Sequence, residues 1–141
     1  MAGLLKSAAD LVAEAEAEIE TLTVTEALVL HGRPGVTFVD IRDIRELGRE
    51  GRIPGALHAP RGMLEFWVDP DSPYHHEDFA RDDRFVLFCA KGQRSALATQ
   101  QLQRMGFGPV CHIGGGFAAW RDAGGPVETP SGTKEGAGAS R

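Results

Sequence analysis

A short apolar run that ends at a cysteine constrains the fold of this chain more than any other segment. Residues Phe85–Phe88 are aromatic, β-branched or leucine, and a short run of this kind predicts a buried strand. Cys89 follows at once, then a loop that contains Gly92, and then a helical pattern that we expect to end at Gly106. The sequence therefore places a thiol at the carboxyl end of a strand, which is the edge where open α/β sheets bind ligands.

Short strands alternate with short helices along most of the chain. Strands are predicted over residues 21–24, 36–41, 85–88 and 110–113, and helices over residues 25–31, 42–47 and 117–123. This alternation is typical of an α/β domain. We expect three layers, with a central, mostly parallel sheet of about five strands flanked by helices.

Three segments differ in composition. Residues 1–20 form an acidic, amphipathic pattern that predicts a helical extension for packing or dimerisation, so a homodimer through this helix is one expected assembly. Residues 21–128 carry the α/β pattern. Residues 129–141 are rich in glycine, serine and alanine and lack large apolar residues, which predicts a disordered tail.

Charge and cysteine content narrow the function classes. The net charge of −5 argues against a nucleic-acid-binding surface, which needs clustered positive charge. Two cysteines are too few for the disulfide framework of a small secreted domain, and no apolar run approaches the ~20 residues of a membrane-spanning helix. We therefore expect a cytoplasmic protein with no signal peptide, no nucleic-acid partner and no membrane partner.

The loop after the apolar strand suits a reactive thiol. Lys91 and Arg94 place two cations close to Cys89 in sequence, and the helix that follows presents its positive N-terminus. These features favour the thiolate form, which is a nucleophile without a histidine as general base. A small buried cysteine without a chemical role is the alternative, but it does not explain a lysine, a glycine and an arginine in quick succession.

Five segments, in order, resemble motifs of the rhodanese family of single-domain sulfurtransferases. They are Val39-Asp40-Ile41-Arg42 with Glu46 in the following helix, Gly51-Arg52-Ile53-Pro54-Gly55-Ala56, Cys89-Ala90-Lys91-Gly92-Gln93-Arg94-Ser95, Gly115-Gly116-Phe117-Ala118-Ala119-Trp120, and Gly125-Pro126-Val127. The resemblance covers residues 21–128. Arg52 stands where the family's Pro-Gly signature has a histidine, and because that position is usually structural we expect no loss of activity.

The resemblance implies a rhodanese-like three-layer domain and a ping-pong sulfur transfer. The thiolate of Cys89 would attack the sulfane sulfur of a donor such as thiosulfate, and cyanide or a thiol, including a thiol on a protein acceptor, would then remove that sulfur from the persulfide. The loop residues expected to bind the substrate and to stabilise the persulfide are Ala90, Lys91, Gly92, Gln93, Arg94 and Ser95, with Lys91 and Arg94 attracting an anionic donor. The resemblance implies no metal and no organic cofactor.

Two other functions remain open from the residues alone. A phosphatase of the dual-specificity type uses a thiolate in a loop with five residues between cysteine and arginine. Four residues separate Cys89 from Arg94, which favours a cradle for a single sulfur atom. The non-enzymatic alternative is a carrier or regulatory module that holds a persulfide, or binds a partner, without turnover.

Residues outside the loop are expected to have supporting roles. We expect Asp40, Arg42 and Glu46 to form an ion pair that positions the strand end near the loop. Cys111 lies in a predicted strand and is expected to be a buried structural thiol. The sharper alternative, a resolving cysteine that attacks the Cys89 persulfide, requires the two sulfur atoms to lie within disulfide reach.

A segment rich in aromatic residues, residues 61–74, precedes the apolar strand. It contains Arg61, Phe66 and Trp67 in a polar, proline-bearing stretch of a kind that often covers a site. These three side chains are expected either to form a rim around the Cys89 pocket or to pack locally on the domain.

Overall fold

Strands and short helices alternate from the N-terminus onward in the computed structural model, which describes residues 3–129. The strands are β1 (Glu20–Leu22), β2 (Val36–Asp40), β3 (Leu57–His58), β4 (Arg84–Phe88) and β5 (Val110–Ile113). The helices are α1 (Ala8–Glu18), α2 (Val24–Leu30), α3 (Ile44–Glu50), α4 (Leu64–Val68), α5 (Gln93–Arg104) and α6 (Gly116–Asp122), with short 3-10 helices at Arg61–Met63 and Glu77–Ala80.

The strands of the described residues form one parallel sheet in the order β1-β5-β4-β2-β3. The predicted fold class, a three-layer α/β domain with a five-stranded parallel sheet, is confirmed. The central strand β4 lies between β2 and β5, with Asp40 in register with Phe88 and Leu87 in register with His112. The carboxyl ends of three neighbouring strands, including the strand that leads into Cys89, therefore meet at one edge.

Both faces of β4 are buried. Successive side chains of a strand point to opposite faces, so the four apolar residues of β4 are shared between two core clusters. Phe85 and Leu87 belong to the first cluster with Leu64, Val68, Ala98 and Leu102 of α4 and α5, whereas Val86 and Phe88 belong to the second with Ala27, Phe117 and Trp120 of α2 and α6. A strand packed on both faces fixes the position of the residue that follows it, which is Cys89.

Helix caps explain where the observed elements differ from the predicted ones. The strand predicted over residues 21–24 ends at Leu22, because Thr23 is the N-cap of α2 and forms a capping box there. The helix predicted over residues 42–47 begins two residues late, because Asp43 caps α3 in the same way. A cap residue has extended backbone angles and cannot belong to the helix that it starts.

The terminal segments of the chain differ in how far the structure describes them. Helix α1 lies within the predicted extension, residues 1–20, but the last residue of that segment, Glu20, already belongs to the sheet. The helix packs on α5 of its own chain, where Gln100 donates a hydrogen bond to Glu18 at 3.0 Å. The homodimer through α1 stays a prediction, and the tail predicted over residues 129–141 lies, apart from its first residue, outside the described residues.

Within residues 3–129, no helix combines the length and the apolar character that crossing a bilayer requires.

Candidate active site

The loop between β4 and α5 folds around the sulfur atom of Cys89. The backbone N–H groups of Gly92 and Ser95 both donate hydrogen bonds to Sγ, at 3.2 and 3.3 Å. Gly92 precedes the first residue of α5 with a φ of +98°, a backbone conformation that residues with a Cβ rarely adopt. The loop and the N-terminus of α5 therefore present two N–H donors to this sulfur, an arrangement that suits an anion.

The start of α6 supports the backbone of the same loop. Phe117 and Ala118 donate their N–H groups to the carbonyl oxygens of Cys89 and Ala90, at 2.8 and 3.0 Å. Gly116 lies so close to the loop that a Cβ at this position would be 2.5 Å from the carbonyl oxygen of Cys89. The Gly-Gly-x-x-x-Trp motif thus brings the carboxyl end of β5 against the Cys89 loop. Only glycine at position 116 permits this close approach.

A small cavity opens over the sulfur atom. It has a volume of about 220 Å³ and is lined by Cys89, Ala90, Lys91, Gln93 and Arg94. Because a water molecule takes about 30 Å³ in the liquid, the cavity has room for a small anion. Cys89 itself is 1% exposed, so a reagent must enter this cavity to reach the thiol.

The two cations of the loop differ in their surroundings. Arg94 donates two hydrogen bonds to the carboxylate of Glu46 on α3, at 2.9 and 3.0 Å. This pairing lowers the pKa of Glu46 and raises the pKa of Arg94. Lys91 is exposed, and its side chain makes no ion pair or hydrogen bond with another residue of the described range 3–129. The uncompensated positive charge at the cavity is therefore that of Lys91, whereas the charge of Arg94 is partly neutralised.

The predicted ion pair at the end of β2 forms without Glu46. Asp40 accepts hydrogen bonds from the guanidinium of Arg42, the shortest at 2.8 Å, and both side chains are buried. The same guanidinium donates to the carbonyl oxygen of Gly51 at 2.8 Å and lies over the ring of Phe117, 4.2 Å from its centroid. Arg42 thereby connects β2, the end of α3 and α6. Glu46 belongs to a different pair, with Arg94, because α3 places it against the loop.

The aromatic segment 61–74 does not contribute to the lining of this cavity. Arg61 pairs with Glu65 at 2.8 Å, Phe66 is half exposed against Tyr74, and Trp67 stacks on His76 at 4.9 Å between ring centroids. Trp67 also packs against the first core cluster. The structure therefore places Arg61, Phe66 and Trp67 in local packing and not at the rim that was one of the two expectations.

Cys111 lies on the opposite face of the sheet from Cys89. Cys89 belongs to the first core cluster and Cys111 to the second, and both thiols are free and buried. Burial raises the pKa of Cys111 to about 11. The alternative of a resolving cysteine is wrong for this arrangement, because the sheet separates the two side chains.

His112 is the site residue that the sequence did not reveal. Its Nδ1 lies 2.9 Å from the hydroxyl of Ser95, which in turn lies 3.5 Å from the sulfur of Cys89. Its Nε2 lies 3.0 Å from the hydroxyl of Thr21. The available signal was a histidine inside a predicted buried strand, 110–113, where a polar ring needs hydrogen-bond partners.

The comparisons with known proteins agree with the geometry of the site. Residues 23–123 match the sequence profile of the Rhodanese-like domain family. A sulfurtransferase of Allochromatium vinosum is 33% identical over 97 residues, which are 69% of this chain and 82% of that protein.

Two solved structures are also similar to this chain. A Rhodopseudomonas palustris protein of unknown function, described as a possible tyrosine phosphatase, shares 52% identity with a TM-score of 0.88 over 91% of this chain and 98% of that one. The polysulfide-sulfur transferase homodimer of Wolinella succinogenes shares 30% identity with a TM-score of 0.64 over 85% of each chain.

Proposed function

The chain belongs to the Rhodanese-like domain family, and on that premise we propose that Cys89 is the persulfide-forming nucleophile of a thiosulfate-type sulfurtransferase. The observation that carries this proposal is the pair of backbone N–H groups, from Gly92 and Ser95, directed at the sulfur atom at the base of a small cavity. Such donors stabilise a thiolate before the reaction and a charged sulfur after it.

The proposed reaction has two displacement steps on sulfur. The Cys89 thiolate attacks the outer sulfur of thiosulfate; the bond between the two sulfur atoms of the donor breaks, and sulfite leaves with the electron pair. The product is a persulfide anion on Cys89. Cyanide, or the thiolate of a small molecule or protein, then attacks the terminal sulfur, and the Cys89 thiolate leaves unchanged. No proton or electron is consumed in either step.

The cavity and its charges suit a small anionic donor. The volume of about 220 Å³ accommodates thiosulfate above the sulfur atom, and the exposed ammonium of Lys91 provides the attraction. As part of the same proposal we place the reaction in the cytoplasm, since a reducing compartment keeps both free cysteines as thiols.

Intact mass spectrometry after incubation with thiosulfate tests the proposal. The wild-type protein should gain one sulfur atom, cyanide should remove it, and Cys89→Ser should gain none. Cys111→Ser is the matched control, because it removes the thiol on the other face of the sheet and should load sulfur as the wild type does. The proposal is overturned if the wild type takes up no sulfur from thiosulfate, mercaptopyruvate or a persulfide donor.

The carrier alternative is separated from the enzyme by turnover. A sulfurtransferase should release thiocyanate continuously when thiosulfate and cyanide are both in excess. A carrier should load one sulfur atom per chain and then release it at a rate too slow for sustained turnover. The two rates, measured on the same preparation, decide between them.

A phosphatase is the second candidate, and the Rhodopseudomonas palustris neighbour is the observation that favours it. The geometry is less favourable to it than to sulfur transfer. The guanidinium of Arg94 is engaged by Glu46 and does not stand free to clamp a phosphate, and four residues instead of five separate it from Cys89. Sustained, Cys89-dependent hydrolysis of a phosphate monoester, with no sulfur loading, would establish the phosphatase and exclude our proposal.

A further inference from the structure

A series of hydrogen-bonded polar atoms leads from Cys89 away from the cavity. The sulfur atom lies 3.5 Å from the hydroxyl of Ser95, that hydroxyl lies 2.9 Å from Nδ1 of His112, and Nε2 of the same ring lies 3.0 Å from the hydroxyl of Thr21. Ser95 and His112 are 0% exposed, whereas Thr21 on β1 is exposed. This hydrogen-bond series therefore connects the buried sulfur to solvent at the β1 side of the sheet.

The imidazole of His112 is neutral at physiological pH. Burial lowers the pKa of His112 to about 4. A neutral imidazole has one N–H, so one ring nitrogen donates a hydrogen bond while the other accepts one. The hydroxyls of Ser95 and Thr21 can each donate or accept. The directions of the three hydrogen bonds are therefore coupled, and all three reverse together when the ring exchanges its tautomer.

The charged groups on the elements near Ser95, His112 and Thr21 do not contact the His112 ring. Lys91 and Arg94 lie in the loop, Glu46 on α3 pairs with Arg94, Asp40 pairs with Arg42, Glu20 pairs with Arg84, and Glu18 on α1 accepts from Gln100. Both ring nitrogens of His112 are already occupied by hydroxyls. No carboxylate of the described residues is thus placed to stabilise an imidazolium, and tautomer exchange is the route by which this ring moves a proton.

We propose that Ser95, His112 and Thr21 carry the proton of the Cys89 thiol to solvent by exchanging the tautomer of the imidazole. In the thiol state the S–H donates to the Ser95 hydroxyl, that hydroxyl donates to Nδ1, and Nε2–H donates to Thr21. When the thiol ionises, its proton passes to Ser95, the Ser95 proton to Nδ1, the Nε2 proton to Thr21, and the Thr21 proton to water. One proton leaves the sulfur, one enters solvent, and no residue between them is charged before or after.

The proposal rests on the proposed role of Cys89 and adds a route for the thiol proton, which the cavity alone does not provide. In the thiolate state, the hydroxyl of Ser95 becomes a third donor to the sulfur beside two backbone N–H groups. The proton also leaves on the side away from the cavity, so a bound donor does not block its path. His112 is in this sense a positioning residue that acts on the sulfur through Ser95.

Nitrogen-15 NMR of the histidine rings tests the proposal directly. Protonated and unprotonated ring nitrogens resonate far apart, and the resonances of His112 are assigned among the five histidines by their loss in His112→Asn. Over a pH series wide enough to ionise Cys89, His112 should change from the Nε2–H to the Nδ1–H tautomer as the pH rises. The change should follow the ionisation of Cys89 and be absent in Cys89→Ser.

Alkylation rates of Cys89 give a second measurement. Ser95→Ala removes the hydroxyl but keeps the backbone N–H, and should lower the rate at pH 7 about tenfold, as expected when a charged group loses one hydrogen bond. The matched control is Thr99→Val, one helical turn further along α5, since its equally buried hydroxyl has no hydrogen-bond partner in the described part of the chain. His112→Asn keeps an amide group that can bond Ser95 and should lower the rate less than Ser95→Ala.

The outcomes separate this proposal from the proposed function. A His112 ring that keeps one tautomer while Cys89 ionises overturns the proton path, even where thiosulfate loads sulfur normally. A tautomer change that persists in Cys89→Ser overturns it as well. Conversely, a coupled tautomer change in a protein that loads no sulfur supports the proton path and removes the sulfurtransferase assignment.

Discussion

Replacing Glu46 with glutamine is expected to make the Cys89 cavity more selective for anionic reagents. In the wild type the carboxylate of Glu46 holds the guanidinium of Arg94 through two hydrogen bonds. The neutral amide of glutamine removes the opposing charge and leaves the positive charge of Arg94 at the cavity wall. Glutamine also keeps the capping box of α3, in which the side chain of residue 46 accepts from the N–H of Asp43.

The size of the effect follows from the exposure of the pair. The side chain of Arg94 is 44% exposed and that of Glu46 is 16% exposed, so solvent screens the pair substantially. Pairs of this kind contribute up to about 1 kcal/mol. If a comparable interaction passes to an anion in the cavity, its binding should improve about fivefold. The effect should shrink as salt is added, since the screening length falls to about 8 Å at physiological ionic strength.

The ratio of alkylation rates by iodoacetate and iodoacetamide measures this selectivity. The two reagents differ chiefly in charge, so any change in the reactivity of Cys89 itself cancels in the ratio. Glu46→Gln should raise the ratio about fivefold at low ionic strength. Glu50→Gln is the matched control, because it removes the same charge from the same helix but near Arg42, at 3.9 Å, and should leave the ratio unchanged.

Equal ratios in the two variants would refute the reasoning. They would show that Arg94 does not act on anions in the cavity, with or without its partner. The attraction would then be assigned to Lys91 alone, and Lys91→Gln should abolish the preference for iodoacetate.

Three further changes test other parts of the structure. Gly116→Ala should lower the free energy of unfolding in urea by about 2–4 kcal/mol, because it adds a steric clash with the loop to the cost of a left-handed backbone. Gly124→Ala is the control: this residue is also left-handed but has open space around it, and its replacement should cost only about 1–2 kcal/mol. Equal losses in the two variants would contradict the close approach of Gly116 to the loop. Asp40→Asn should cost about 3–5 kcal/mol, because it removes the buried carboxylate that bonds Arg42 and leaves only that of Glu50, at 3.9 Å, near the buried guanidinium. A loss below about 1 kcal/mol would contradict this reasoning. The pKa of the His112 imidazole is about 6.5 in the unfolded chain and about 4 in the fold, so between these pH values the unfolded chain binds a proton that the folded protein does not. The free energy of unfolding should therefore fall by on the order of 3 kcal/mol as the pH is lowered across this window. His112→Asn should remove this pH dependence.

Local patterns in the sequence determined the elements of this fold and the position of the thiol. The apolar residues 85–88, the abrupt stop at Cys89 and the helical pattern up to Gly106 predicted β4, the loop and α5, and the structure has all three. Such patterns are readable because the period of a strand or helix is set by the backbone over a few neighbouring residues. Alternation of these elements was enough to predict a parallel sheet.

The tertiary structure alone decided which side chains act together at the site. Glu46 and Arg94 are 48 residues apart, and the sequence assigned the carboxylate to Arg42 instead. Ser95 and His112 are 17 residues apart, and His112 and Thr21 are 91 apart. Partners at such separations are set by strand order and by the angle at which each helix packs, neither of which leaves a local pattern. The sequence thus determined where the thiol lies and predicted a reactive one, whereas the packing of the sheet and helices decided which charged and hydroxyl groups lie next to it.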